Sequence, residues 1–198
     1  MPVRFATPPA HGESLVRDSL SKLSARQNPL SARGVDFNIL QVSQPHAVYD
    51  LRADAIVGGG GLASAVFSGY RYLVQREGAV EAAAEVQTDA QGNATTVTHI
   101  NTGPYVQATA EALTRIAALE PVSKESYEVR LLRSAAIYVM ALWLKPESGG
   151  ADIIYPLPPT PSGLNAEQPY SADGFIQAVL PLARRRAEGR GTDERAVP

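Results

Sequence analysis

Four consecutive glycines give this sequence its clearest potential binding element, namely Gly58, Gly59, Gly60 and Gly61. Backbone amides exposed at a glycine-rich turn before a helix bind anions. Gly58, Gly60 and Ala63 also fit a loose form of the dinucleotide-binding pattern. However, the strand predicted before the glycines carries charged residues, whereas that pattern normally follows an apolar strand. We therefore interpret the four glycines first as a tight turn and second as a candidate anion-binding loop.

Two of the three histidines, His46 and His99, are the candidate catalytic bases, with Asp54 as a candidate partner. A hydrolytic triad is assembled in space rather than in sequence, so Ser64 or Ser68 could supply the nucleophile. No G-x-S-x-G elbow surrounds either serine. The histidines show no H-x-x-x-H or H-E-x-x-H spacing, so no metal site is predicted. The alternative is that both histidines are polar side chains on a solvated strand face.

Acidic residues recur every four positions at Glu77, Glu81, Glu85 and Asp89. Glu81 or Glu85 lies at about the distance from the glycines where a dinucleotide site places its ribose-binding acid. A solvated acidic surface is the more common outcome of such a pattern. We predict no cofactor.

A proline-rich segment and the single tryptophan are the candidate partner-binding residues, namely Pro156, Pro158, Pro159, Pro161 and Trp143. Proline-rich segments dock into aromatic grooves in some complexes. They also cover sheet edges. Trp143 lies in the most apolar segment, where a buried core residue is expected, although an edge position would expose it to a partner.

The charge composition argues against strongly charged or membrane partners. Lys and Arg total 18, Asp and Glu total 20, and the formal net charge is −2. Nucleic-acid binding requires a concentrated positive charge, which this chain lacks. The longest apolar run, 135–144, is far shorter than the roughly 20 residues that span a bilayer. The absence of cysteine is compatible with the cytoplasm, which is the predicted location.

Hydrophobic periodicity predicts the elements that must position these residues. Helices are expected over 13–26, 62–73 and 171–187, with a further helix opening at Thr102–Pro104, and Pro181 should kink or split the last one. Strands are expected over 35–43, 49–57, 79–87, 94–100 and 152–155, and 127–131 with 135–144 should supply one or two more.

Paired strands separated by helices predict an α+β fold with a mainly antiparallel sheet packed by about three to four helices. We expect a single domain over 13–183 that includes a proline-rich connector at 156–170. Residues 1–12 are predicted to be a flexible arm and residues 184–198 a polar tail.

Two functional hypotheses follow from these features. The first is a non-catalytic protein–protein interaction or assembly module, bound to a protein partner or to another copy of itself. The alternative is a small hydrolase, or a nucleotide- or anion-binding enzyme, that uses the Gly58–Gly61 loop with a histidine base. A small-ligand pocket without chemistry cannot be separated from the first hypothesis by sequence.

Overall fold

A mixed sheet of ten strands organises the structure, a computed structural model that describes residues 3–24, 40–43 and 45–193. In this described part of the chain, the strands are β1 (Val3–Phe5), β2 (Gln41–Val42), β3 (His46–Asp50), β4 (Val66–Arg76), β5 (Ala79–Thr88), β6 (Ala94–Asn101), β7 (Tyr127–Ser134), β8 (Val139–Pro146), β9 (Ile153–Pro156) and β10 (Tyr170–Ser171). The helices are α1 (Gly12–Ser24), α2 (Ala53–Val57), α3 (Pro104–Ile116), α4 (Glu120–Lys124) and α5 (Ala172–Asp193).

The strand order β10-β9-β8-β7-β3-β4-β5-β6 places β3 between two antiparallel units. Strands β4, β5 and β6 form one unit, and β7, β8, β9 and β10 form the other. β3 pairs antiparallel with β4 and parallel with β7. β1 also pairs with β7, and β2 with β4. The large mixed sheet and the five helices among the described residues agree with the predicted α+β class. The sheet makes up a larger share of the structure than expected.

The turn between β4 and β5 and a β-bulge between Val74 and Gln75 together set the register of the sheet at the site described below. Glu77 and Gly78 have φ angles of 51° and 83°, and two consecutive positive φ angles are typical of a type I′ hairpin turn. The strands leaving this turn pair Arg71 with Glu85. Paired residues in an antiparallel sheet project from the same face, so both side chains share one face.

Helices α3 and α4 pack over one face of the sheet, which we call the α3 face. Its main core joins α3 and α4 to apolar side chains of β7, β8 and β9, including Val129, Leu142 and Tyr155. Farther along the same face, Val106 of α3 packs on Leu73. The opposite face is covered by α5 over β7 to β9 and by α1 over β4 and β5.

The helix predicted over 62–73 is wrong. A short 3-10 turn at Leu62–Ser64 is followed by β4, which begins at Val66. Tyr72, Leu73 and Val74 are all almost completely buried. Because both faces of β4 are covered there, the strand lacks the apolar–polar alternation that would identify it.

The strand predicted over 49–57 is only partly right. β3 ends at Asp50, and Ala53–Val57 forms the short helix α2. Consequently the four glycines follow a helix rather than a strand, and they lead into a 3-10 turn and then a strand. The strand–glycine–helix arrangement on which the dinucleotide pattern depends is absent from this described segment.

The chain ends differ from the prediction as well. Val3–Phe5 of the predicted N-terminal arm pairs with β7. α5 passes through Pro181 without interruption and continues to Asp193, beyond the predicted domain boundary at residue 183. In the strand predicted over 35–43, residues 35–39 lie outside the described residues.

The strands predicted over 79–87 and 94–100 are confirmed as β5 and β6, and the helix expected after Thr102 is confirmed as α3. Helix α3 begins at Pro104. The N-cap residue is Gly103, and no side-chain hydrogen bond caps the helix there. Trp143 is buried in β8, as expected for a core tryptophan.

Candidate functional site

Three neighbouring strands place one polar side chain each in a row on the α3 face. Arg71 of β4 pairs with Glu85 of β5, and Glu85 pairs with His99 of β6. Since these residues occupy paired positions, their side chains project from the same face. Arg71 and Glu85 are buried, whereas His99 is exposed at the last strand of this side of the sheet.

The parallel pair β3 and β7 extends this row toward the other half of the sheet. Asp50 and Arg133 are register partners. Arg133 donates from Nε and Nη2 to the two Asp50 oxygens at 2.7 and 3.2 Å, and from Nη1 to Glu85 Oε2 at 2.8 Å. These hydrogen bonds, that to Asp50 first, raise the pKa of Arg133. Arg133 therefore engages both carboxylates of the row.

Arg71 is the most unusual residue of the site, because its side chain is 1% exposed yet poorly paired. Its Nη1 lies 3.3 Å from the sulfur of Met140 and 3.8 Å from Glu85 Oε1. Its Nε and Nη2 are buried without a hydrogen-bond partner among the described residues. Burial lowers the pKa of Arg71, although the charge of Glu85 opposes this effect. A buried cation is costly unless it is fully paired and hydrogen-bonded.

Arg71 is also part of the lining of a cavity of about 330 Å³, which we call the Arg71 cavity. Its lining combines the charged row with the start of α3 and comprises Arg71, Glu85, His99, Ile100, Asn101, Gly103, Tyr105, Arg133 and Met140. The volume falls in the range of small-molecule sites.

The start of α3 contributes to this lining through Gly103 and Tyr105. No side chain caps the helix there, and the N-terminus of a helix carries partial positive charge. The Tyr105 hydroxyl donates to the carbonyl oxygens of Tyr138 and Pro159 at 3.0 and 2.8 Å. Tyr105 thereby ties α3 to two loops beside the cavity.

A second cavity of about 630 Å³, the Arg186 cavity, shares His99 and Arg133 with the first. The rest of its lining comes from the end of β3, the start of α2, the turn after β7 and α5, and comprises Asp50, Leu51, Arg52, Ala53, Asp54, Ala135, Ala136 and Arg186. A third cavity of about 400 Å³ lies between α1 and β6 and also includes His99.

The two candidate histidines lie at opposite ends of this cross-strand row, because His46 of β3 is the register partner of Arg71 and His99 is the register partner of Glu85. His99 is exposed, whereas His46 is buried, with its ring edge-on to Phe5. His46 Nδ1 is 3.4 Å from the Arg71 carbonyl oxygen, and its Nε2 has no partner among the described residues. Burial lowers the pKa of His46 to about 4.

The other proposed catalytic residues have structural contacts. Ser64 donates to the Gly61 carbonyl oxygen at 2.7 Å, and Ser68 donates to the Val48 carbonyl oxygen at 3.3 Å. Asp54 accepts two hydrogen bonds from Arg52, which lower its pKa to about 2. In the described part of the chain, no hydrogen bond joins either serine to a histidine.

The glycine loop caps α2 and enters the 3-10 turn. Gly58 N–H bonds to the Asp54 carbonyl oxygen at 2.9 Å, and Gly60 N–H bonds to the Ala55 carbonyl oxygen at 2.9 Å. Gly59 and Gly61 have φ angles of 79° and 57°, which glycine adopts without steric cost. The three cavities described above are lined by other residues.

The proposed partner-binding residues lie near one another in β8, β9 and the segment that follows. Pro156 ends β9 and pairs with Ala141 of β8. The Pro158–Pro159 peptide bond is cis. Trp143 lies in the core against α5, and the guanidinium of Arg130 stacks 5.1 Å from its ring centroid.

Sequence reasoning missed the two arginines that dominate the site. Arg71 interrupts the otherwise apolar and aromatic run Tyr70–Val74. Had 66–76 been interpreted as a strand, a charge within such a run would have indicated a buried cation. Arg133 lies just beyond the predicted strand 127–131 and carries no local motif, because its partners come from positions 50 and 85.

Two further features concern metals and membranes. Within the described ranges, no group of three or more histidines, aspartates or glutamates could hold a metal ion. No helix formed by these residues is both long enough and apolar enough to cross a bilayer.

Comparisons of this chain with protein-family models, curated protein sequences and solved structures each found no match. The structural class of this protein therefore rests on the structure alone. It is an α+β protein with a large mixed sheet and a charged cavity on one sheet face.

Proposed function

We propose that this protein binds a small anionic ligand in the Arg71 cavity. The observation that carries the proposal is the buried guanidinium of Arg71, which has two nitrogens without a hydrogen-bond partner among the described residues. An anionic oxygen entering the cavity would compensate this charge, and arginine binds carboxylate and phosphate groups through paired hydrogen bonds.

The local charges support an anion rather than a cation. Glu85 lines the Arg71 cavity and Asp50 lines the adjacent Arg186 cavity, but both carboxylates already accept short hydrogen bonds from Arg133. The nearest Glu85 oxygen to Arg71 is 3.8 Å away, beyond hydrogen-bonding distance. The start of α3 at Gly103 adds a positive helix end to the same lining. The positive groups therefore retain more capacity for a new partner than the negative groups do.

The proposed role is binding without chemistry. His99 is the one histidine in the cavity lining, and it is exposed. The candidate nucleophiles Ser64 and Ser68 are hydrogen-bonded to backbone carbonyl oxygens elsewhere. The proposal agrees with the first hypothesis from the sequence in being non-catalytic. It agrees with the alternative hypothesis in having an anion as the ligand, but it places that anion in the Arg71 cavity rather than at the Gly58–Gly61 loop.

Thermal unfolding with acetate, butyrate or inorganic phosphate tests this proposal. A ligand at about ten times its Kd stabilises the folded state by roughly 1.4 kcal/mol, so the unfolding temperature should rise. Arg71→Met keeps most of the side-chain volume and removes the charge, and Glu85 retains its hydrogen bond from Arg133 in this variant. It should abolish the rise. Arg76→Met is the matched control, because Arg76 lies on the same strand and pairs with Glu81 outside the cavity.

Two results would contradict the proposal. One is the absence of any anion-dependent stabilisation of the unaltered protein. The other is an equal response of Arg71→Met and the unaltered protein, which would place the anion elsewhere.

A second candidate function, assembly, is favoured by a group of aromatic side chains on the sheet face opposite the α3 face. We call it the aromatic row, and it comprises Tyr49, Phe67, Tyr70 and Trp143. Adjacent rings have centroids 5.3 to 5.7 Å apart. Phe67 is 41% exposed, and an exposed aromatic group is typical of protein interfaces.

Native mass spectrometry tests the assembly role. Phe67→Ser should dissociate an oligomer or release a bound protein. Val66→Ser is the control, because Val66 is 61% exposed on the same strand and adjacent residues of a strand project from opposite faces. A strictly monomeric mass for the unaltered protein without a partner, or equal effects of both variants, would overturn this role.

A further inference from the structure

We infer that the ligand carries two negative groups, one held at Arg71 and the other at Arg186. This inference rests on the proposed function, because it adds a second contact to the same ligand. Its basis is that the Arg71 and Arg186 cavities are adjacent and share His99 and Arg133 in their linings. A ligand longer than one cavity would extend past these two side chains into the other.

The charges of the Arg186 cavity leave one cation without a partner. Arg133 binds Asp50 through both oxygens, and Arg52 binds Asp54 at 3.0 and 2.7 Å. In each of these two pairs, the positive charge of the arginine is balanced by the negative charge of the aspartate. Arg186 projects from α5 into the same lining and has no ion-pair partner within the described part of the chain.

The two cavities thus each contain one poorly compensated guanidinium, separated by the paired groups of Arg133. A ligand with a single charge can neutralise Arg71 or Arg186 but not both. A ligand with a negative group at each end can neutralise both at once. Arg186 is exposed, and an ion pair in water is weak, so we expect the second contact to improve affinity by about fivefold.

Isothermal titration calorimetry with matched acids tests the inference. Succinate, glutarate and adipate are compared with butyrate, valerate and hexanoate, which have the same carbon counts and one charge fewer. One dicarboxylate should bind about fivefold more tightly than its matched monocarboxylate. Affinity should peak at one chain length, because Arg71 is buried in the sheet and the backbone of Arg186 is fixed in α5, which bounds the distance between the two charges.

A further arm replaces succinate with 3-phosphonopropionate to distinguish the chemistry of the end groups. Tighter binding of the phosphonate would assign a phosphoryl group to one end, and weaker binding would assign two carboxylates. Both results support a ligand with two negative groups.

Arg186→Ala provides the decisive variant. It should lower the affinity for the best dicarboxylate to that of its matched monocarboxylate and leave monocarboxylate binding unchanged. Arg184→Ala is the control, since Arg184 is exposed on the same helix and lies outside both linings. It should alter neither affinity.

The failures of the two proposals are distinguishable. If monocarboxylates bind as tightly as dicarboxylates, or if Arg186→Ala has no effect, the two-charge inference is overturned and anion binding at Arg71 stands. If none of these anions binds, both are overturned.

Discussion

Arg71 and Glu85 oppose each other across the β4–β5 hairpin, with 3.8 Å between Nη1 and Oε1. The other Glu85 oxygen lies 2.8 Å from Nη1 of Arg133. One carboxylate therefore serves two guanidinium groups, and the more buried of the two receives the longer contact. Such an arrangement makes the fold sensitive to the loss of the carboxylate and leaves Arg71 the less compensated of the two cations.

Glu85→Gln should destabilise the fold by about 3 kcal/mol, because it leaves a buried cation with even less compensation. Urea unfolding at neutral pH measures the change. Glu81→Gln on the same strand removes a more exposed pair with Arg76 and should cost less than about 1 kcal/mol. Equal losses for the two variants would show that Glu85 does not compensate the buried charge.

The stability of the fold should fall as the pH drops from about 6.5 to about 4. Burial lowers the pKa of His46 from 6.5 to about 4, so folding favours the neutral ring. The stabilisation is complete above pH 6.5 and is lost as the pH falls through the folded-state pKa, by up to about 3 kcal/mol.

Urea unfolding as a function of pH measures this dependence in the unaltered protein and in His46→Gln. The variant should show a shallower decline over the same pH range. Replacement of the exposed His99 by Gln is the control and should leave the decline unchanged. A decline that is the same in His46→Gln and the unaltered protein would rule out His46 as its source.

Gly69→Ala should destabilise the protein by about 3 kcal/mol or more, among the largest effects of single substitutions. Gly69 has a φ of +139°, and a Cβ there would lie 2.4 Å from the Val86 carbonyl oxygen. Differential scanning calorimetry gives the loss. Gly189→Ala, where a Cβ meets nothing within 4 Å, should be neutral or stabilising. A mild effect of Gly69→Ala would mean that the strand can shift to accept the methyl group.

Tyr105→Phe should cost about 1 kcal/mol, because its hydroxyl donates to the carbonyl oxygens of Tyr138 and Pro159. Chemical denaturation measures this loss. Tyr138→Phe is the control, since Tyr138 is 81% exposed and keeps its backbone carbonyl oxygen in the variant. If both variants lose the same stability, the hydroxyl of Tyr105 does not tie α3 to these loops.

The strands that could be predicted are those whose sequences alternate with a period of two or are rich in β-branched residues. In β5 and β6, apolar side chains alternate with polar ones or are β-branched, and both strands appear where expected. β4 could not be identified in this way, because Leu62, Val66 and Tyr70 are spaced four apart and imitate a helical stripe. Because both faces of β4 are buried, its sequence lacks the alternation of apolar and polar residues that would have indicated a strand.

The same misassignment hid the candidate site. Placed on a helix, Arg71 is an ordinary polar residue; placed on β4, it is buried beside Glu85 and Met140. Glu85 was noted for its spacing from the glycines, but its contacts with Arg71 and Arg133 depend on strand pairing. Such pairing joins residues far apart in the chain, and no local motif records it.

The place of β3 between the two antiparallel units has a consequence for the order of folding. Strands β4 to β6 and β7 to β9 can each pair with neighbours close in the chain, and β3 can pair with β4, but the β3–β7 pairing must join residues 47–50 to residues 130–133. Closing such a long loop is entropically costly. We expect the two units to gain structure first and the β3–β7 pairing to form in the last step. Truncating Val48 to Ala should then accelerate unfolding with little change in the refolding rate, and slower refolding would place β3 in the nucleus.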